Sequence, residues 1–488
     1  MCNFFKNIIL IFFLLSNLCL SAQYVYEWND YYGGDGMDEV SSMVKTYDGN
    51  IFIVGTVKDT TDAMWLVKIN TDGIRLWSKL YAEYPLMRPT KIIETKDKNL
   101  LITGIISEDN SAPHKIWVIK LNSSGEILWE KLYPGNGDAF STDMIETFDK
   151  GILISGYTAQ NIHLDNDWYV LKLDSLGNFV WDKSFGSPYD DRATSVTELY
   201  DSTIIVVGYI SYSYGSYKKG SITKFTADGV DLWADDIKIG RWSTANSISS
   251  TSDSCFVVAA EVKKGHFMDF SILILKMNPQ GDTVWTREIQ KPMWEHPVSI
   301  IETYDKGYAI AYTSKKDGVG NTNVAVMKLS PRGEIAWEKI FTRKSDDYAS
   351  DIIEDANNGL VIGASTYTID KAWNFGIVKF KSLEMSDMKF ISPIAPIATI
   401  YTERLPVSAT ITGYKKPVEV KIYVNMQHIT TITNFEQIDH TSNQYSWNNE
   451  IPLNYGLNVI DFIVTDYKNY KFVKSKKIYY LPNSTPHW

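Results

Sequence analysis

Two groups of residues in this chain have side chains capable of chemistry. The first is aromatic and polar: Tyr212, Tyr214 and Tyr217, then Arg241 and Trp242, then His266 and Phe267, then Trp294, Glu295 and His296. Aromatic faces beside a few hydrogen-bonding tips suit a sugar ring or a peptide. Glu295 or His296 could act as an acid/base with Arg241 as an electrostatic clamp, and paired carboxylates can cleave glycosides. Trp242 and Trp294 could equally do no more than fill gaps between packed sheets. The second group is acidic: Asp38, Asp138, Asp190, Asp191, Asp346 and Asp347, with Asp165 and Asp167 as further ligands. Clustered carboxylates offer hard oxygen ligands to Ca2+. None of these runs has the spacing of a dedicated calcium loop, and loop Asp commonly binds backbone amides instead. His-x-x-x-His metal spacing, a serine nucleophile elbow and a phosphate-cradling glycine loop do not occur.

What positions these residues is a repeat. Trp77, Trp129, Trp181, Trp233, Trp285 and Trp337 each follow a glycine by four residues and lie 52 residues apart. A period this long marks small sheets that cannot bury their apolar faces alone. Each repeat divides into four short strands. In the second they are 91–94, 100–105, 116–121 and 127–133, with tight turns at 97–99 and 122–125. The runs are apolar on both parities, as strands covered on both faces require. The third strand recurs seven times with a lysine: Lys68, Lys120, Lys172, Lys224, Lys276, Lys328 and Lys379. The fourth strand with its tryptophan follows only six of them. The missing copy is at the other end of the chain, where Trp28 and Tyr32 match Trp129 and Tyr133. Residues 24–32 are therefore expected to supply the outer strand of the last unit and close a ring. The units are 38–81, 87–133, 139–185, 191–237, 243–289, 295–341, and 347–381 completed by 24–32.

This pattern resembles the β-propellers of the quinoprotein-like superfamily, whose docking motif places a Gly and a Trp in the same relation at the end of each blade. The bacterial outer-membrane assembly lipoprotein with a propeller fold is similar. The resemblance covers about three quarters of the chain. It implies an all-β, seven-bladed β-propeller over residues 23–381 and no particular function. Quinone-binding dehydrogenases use eight blades and a vicinal cysteine pair, which are absent here. The sialidase-type Asp box needs Ser-x-Asp-x-Gly-x-Thr-Trp, and Asp72 and Gly73 have the wrong spacing. Neither activity carries over, and no cofactor is expected beyond the Ca2+ considered above.

After a linker, 382–393, the period stops. Runs at 407–412, 418–424, 429–433, 445–451, 458–465 and 472–480 read as strands of a β-sandwich over 394–488 that resembles bacterial immunoglobulin-like modules. At the other end, Lys6, the apolar run 8–15 and Ser21–Ala22 look like a secretory signal, 1–22. Leu18 before Cys19 is too bulky for a usual lipobox. The signal removes Cys2 and Cys19, leaving Cys255 at the start of an apolar run, a small buried hydrophobe rather than a nucleophile. No later apolar run approaches the roughly 20 residues of a spanning helix. A net charge of −10, without a basic block, disfavours nucleic acid and anionic membranes.

Recurrence within one chain separates fold from function. A residue found in every unit is set by the fold; one found once is free to serve a ligand. By that rule the lysines, the Gly-x-x-x-Trp units and Glu94, Glu146, Glu198, Glu302 and Glu354 are structural. The expectation is an exported, monomeric, non-catalytic binding or scaffold protein of the cell envelope. Its loop face would recognise a glycan, peptide or protein. The alternative is a polysaccharide-cleaving hydrolase or lyase using the sector of blades 4–6.

Overall fold

The computed structural model describes residues 23–480 except 34–36, 59–60, 110–111, 136, 160–165, 214–216, 265–269, 291–293, 316–320, 342–345, 368–372, 384–387, 393–396, 401–403, 413–416, 426, 434–435, 440–443, 455 and 467–470. The expected secretory signal, Tyr214, His266, Phe267 and Asp165 lie outside the described residues. The described chain forms a larger unit, Tyr26–Lys381, and a smaller one that includes Ser382–Trp488.

The larger unit is a β-propeller of seven four-stranded antiparallel sheets. The first sheet is Met37–Lys45, Ile51–Lys58, Asp62–Ile69 and Arg75–Tyr81. Five more follow the same order, and in the seventh the outer strand is Gln23–Tyr32, paired with Trp373–Leu383. The first strands of successive sheets contact one another around a closed ring, the seventh returning to the first. They therefore surround the axis, and the fourth strands form the circumference. The second and third strands are buried on both faces, as in Thr322–Leu329, which is buried along its whole length. Fourth strands alternate toward solvent, as in Arg75–Tyr81.

Three recurrent devices hold the sheets. The first is a clasp at the turn between first and second strands. A residue with positive φ, from Gly49 and Lys98 to Asn358, tightens each of the seven turns. This aims an aspartate at the third-strand lysine. Lys68, Lys120, Lys172, Lys224, Lys276, Lys328 and Lys379 pair with Asp48, Asp97, Asp149, Asp201, Asp253, Asp305 and Asp355. A buried ammonium without such a partner would be strongly destabilising. Desolvation raises the Asp149 pKa, but hydrogen bonds from Thr147 and Lys172 outweigh it and hold the carboxyl at about 2, below the usual 3.8. A depressed carboxyl contributes stability above its unfolded pKa and loses it as pH falls through the folded one. The melting-temperature gap between wild type and Asp149→Asn should therefore shrink as pH drops from about 4 to about 2. A gap independent of pH in scanning fluorimetry would exclude this clasp.

The second device joins neighbours at the end of the inner strands. Glu94, Glu146, Glu198, Glu302 and Glu354 accept the N–H of Tyr47, Lys96, Phe148, Ser252 and Tyr304, each in the turn of the preceding sheet, at 2.7, 2.9, 2.6, 3.0 and 3.0 Å. The third is the Gly-x-x-x-Trp dock. Gly125 has φ +74, and a Cβ there would meet the Trp77 ring of the preceding sheet at 2.9 Å. Tyr81 Oη donates to Gly125 O at 2.7 Å and Tyr133 Oη to Gly177 O at 2.5 Å. Tyr32 Oη donates to Gly73 O in the same way. Gln23–Tyr32 thus occupies the place a fourth strand takes before the first sheet.

A one-residue register shift interrupts every inner strand at the same point, as between Ala349 and Asp351. Bulges of this kind re-aim the next side chain. The equivalent residues just after it are Ser42, Lys91, Asp143, Ser195, Ser247, Ser299 and Asp351. They tie neighbouring sheets: Ser195 Oγ donates to Asp143 at 2.6 Å, and Ser42 Oγ to Asp351 at 2.8 Å.

The smaller unit has two sheets. One contains Met388–Ser392, Arg404–Thr412, Gln444–Pro452 and Glu436–Asp439. The other contains Ile397–Ile400, Lys471–Tyr480, Gly456–Asp466, Pro417–Val424 and Gln427–Ile432. All six strands expected here are present. Met388–Ser392, expected as linker, is instead a strand, because its backbone pairs with Arg404–Thr412. No helix of the described residues is long and apolar enough to cross a membrane.

Candidate functional site

Antiparallel connections put the loops between second and third strands on one face, with those leading into each inner strand. The inner strands open onto this loop face through cross-strand pairs that do not recur. They are Glu39–Thr56, Arg88–Ile105, Phe140–Tyr157, Arg192–Tyr209, Thr244–Glu261, His296–Thr313 and Tyr348–Ser365. The repeat thus breaks at one level of the ring while the packing below it stays regular.

In the fifth and sixth sheets the break centres on Glu261, whose side chain is 4% exposed. One carboxylate oxygen accepts from Trp294 Nε1 at 2.8 Å and the other meets His296 Nδ1 at 2.9 Å. A carboxylate oxygen accepts, so in this contact His296 Nδ1 is the donor. Trp294 and His296 stack with centroids 5.4 Å apart and planes at 15°. Phe270 bridges to Trp294 through the backbone and meets Trp242 edge-on at 5.3 Å. Arg241 is exposed, and its backbone N–H donates to Lys263 O at 2.8 Å. Glu295 turns the other way, as strand alternation requires: it is buried and accepts from Ser314 Oγ at 3.0 Å.

A second cluster spans the third and fourth sheets. Phe140 stacks on Tyr157 at 4.7 Å, and the Arg192 guanidinium lies 4.5 Å over Tyr157. Asp190 accepts from Arg192 Nε at 2.8 Å, Tyr209 Oη at 3.0 Å and Lys218 Nζ at 3.1 Å. Burial alone would raise its pKa; the hydrogen bonds from Asn166 and Arg192 hold it at about 2. Nearby in sequence, Tyr212 Oη donates to Asp236 at 2.6 Å, which pushes the phenol up to about 12, and Tyr217 meets the ring edge-on. Asp236 lines a cavity of about 540 Å3 with Lys219, Ala234, Asp235, Ile237 and Lys238.

The other acidic residues turn to their own loops. Asp138 accepts from the His114 backbone N–H at 2.7 Å, and Asp346 from that of Thr322 at 2.7 Å. Asp191 is fully buried; its pKa is raised, chiefly by burial, and it accepts from Ser211 N at 2.6 Å. Asp347 is 1% exposed. Among the described residues no three His, Cys, Asp or Glu side chains converge as metal ligands. Asp138, Asp190, Trp242, Trp294 and Asp346 occupy one repeat position, so the aromatic and acidic sectors are a single ring of first residues entering the inner strands.

Glu261, Phe140, Tyr157 and Arg192 escaped the sequence reading. Glu261 had a signal: it is the one acid within the apolar run Phe256–Lys263. The other three gave none, because Phe140 meets Tyr157 through strand register and Arg192 reaches Tyr157 from the next sheet.

No family model matches the chain, and no curated protein matches it. Solved structures of similar shape exist. An extracellular domain from B. thetaiotaomicron is 11% identical, with TM-score 0.40, covering 96% of this chain and 59% of that one. The α-L-arabinanase of Penicillium chrysogenum is 10% identical, with TM-score 0.44, covering 74% and 99%. The β-propeller domain of the Trilobed protease from Pyrococcus furiosus is 10% identical, with TM-score 0.40, covering 75% and 98%.

Proposed function

We propose that this protein is an exported, non-catalytic binding or scaffold protein, monomeric, whose loop face recognises a glycan, peptide or protein partner at the cell envelope. The observation that carries this is the non-recurring set of cross-strand pairs at one level of the inner strands. Side chains able to do acid–base work there are held by internal partners, and aromatic rings of Trp242, Trp294 and His296 remain partly in solvent. Such rings with polar tips bind by stacking and by a few hydrogen bonds. In this proposal residues 1–22 direct export, the propeller belongs with the quinoprotein-like superfamily, and 394–488 is an immunoglobulin-like spacer or docking module.

Glycan and peptide arrays probed with the full chain should give discrete ligands, and Trp294→Ala should weaken binding by about tenfold or more with folding unchanged. Array binding indifferent to Trp294→Ala, Trp242→Ala and His296→Ala would move the site elsewhere. A second reading, polysaccharide cleavage, is favoured by the Glu261–His296 pair, in which a buried carboxylate orients an imidazole. Reducing-sugar release from a polysaccharide panel, abolished in His296→Ala, would select it.

A further inference from the structure

The face of tight turns carries residues that the fold does not explain. One position of the seven turns between first and second strands holds Tyr47, Lys96, Phe148, Tyr200, Ser252, Tyr304 and Ala356. All seven turns share one backbone, with positive φ two residues on and the same closing hydrogen bond, such as Thr46 N to Asn50 O and Asp355 N to Gly359 O. Ser252 and Ala356 show that the turn needs no ring. Nevertheless Tyr47 is 80% exposed, Tyr200 61%, Phe148 50% and Tyr304 42%. Rings left in water contribute little to folding, and several on one face mark an interaction surface. Phe148 and Tyr200 already stack, with centroids 6.3 Å apart.

The chemistry beside the rings says what they would take. Glu94, Glu198 and Glu354 bind the backbone N–H of Tyr47, Phe148 and Tyr304, so a carboxylate stands at the backbone of each of these aromatic residues. The chain itself lays cations there: Lys98 Nζ is 3.9 Å over Tyr47, and Lys96 Nζ is 5.6 Å over Phe148. A ring face and an adjacent carboxylate attract an ammonium or guanidinium together. We propose that the tight-turn face docks a protein partner through its lysine and arginine side chains, with these rings receiving the cations and the neighbouring carboxylates neutralising them. This surface is on the opposite face from the loop site and independent of it.

The test is fluorescence anisotropy of the full chain with a labelled Lys/Arg-rich Gly-Ser peptide, its Glu-rich counterpart and a neutral oligosaccharide. The cationic peptide should bind. The combined variant Tyr47→Ser, Phe148→Ser, Tyr200→Ser and Tyr304→Ser should bind it about tenfold more weakly, at unchanged net charge and melting temperature. Trp294→Ala should bind it as wild type does, which separates this surface from the loop site. If the combined variant fails to fold, Tyr47→Ser and Tyr200→Ser taken singly should each weaken binding about twofold to fivefold. Undiminished affinity in these variants, or preference for the Glu-rich peptide or the oligosaccharide, would overturn the proposal.

Discussion

Deletion of residues 24–32 is expected to cause the largest loss of stability of any short excision in this chain. The segment is the fourth strand of the seventh sheet, so its removal exposes the edge of Trp373–Leu383. It also removes Tyr32, 6% exposed, together with its bond to Gly73 O in the first sheet. The ammonium of Lys379 would lose Glu27, 3.2 Å away, while Asp355 and the Thr71 carbonyl of the first sheet remain beside it. Loss of one buried aromatic alone typically costs about 3–5 kcal/mol, and strand pairing is lost as well. Calorimetry should show a melting temperature lower by well over about ten degrees, or no cooperative transition. Tyr32→Phe isolates the hydrogen bond and should cost about 1 kcal/mol. A deletion variant that melts like the parent would mean the ring is held shut without this strand.

Asp351→Ala should be the most damaging single substitution near the axis. The side chain is 6% exposed. It accepts from Ser42 Oγ at 2.8 Å and Met43 N at 3.0 Å in the first sheet, and from Ser299 Oγ at 2.9 Å in the sixth. Lys91, in the second sheet, lies 3.8 Å from Asp351 and 3.7 Å from Asp143. Removing the carboxylate takes the acceptor from two hydroxyls and from the backbone N–H groups of Met43 and Ile352, and takes from Lys91 one of its two carboxylates. Breaking a buried charged network in this way costs about 3–5 kcal/mol. Asp351→Asn keeps one acceptor and should lose less. Denaturant unfolding orders the three proteins; equal midpoints would show that the axial hydrogen bonds are dispensable.

The architecture was legible because its signals are local and repeated. A tight turn, an apolar run and a Gly-x-x-x-Trp unit recur within each 52-residue stretch. The offset of the tryptophan count against the lysine count located the closing strand. The role of each device was less visible. The recurrence of the five glutamates marked them as structural without showing which groups they bind. Their partners lie 47 to 50 residues earlier, across a sheet boundary. Glu295 looked like a candidate acid from its neighbours, but strand alternation buries it against Ser314.

From the order of residues alone came the all-β repeat and its closure by the leading segment, since hydrophobic period and turn chemistry act over a few residues. Folding in three dimensions decided which single-copy residues meet. Glu261 reaches Trp294 and His296 from 33 and 35 residues away, and Arg192 lies on Tyr157 in the neighbouring sheet. Those meetings follow from the register and angle between adjacent sheets, set by the packing of whole faces and by the bulge in each inner strand. No short window of sequence contains that information.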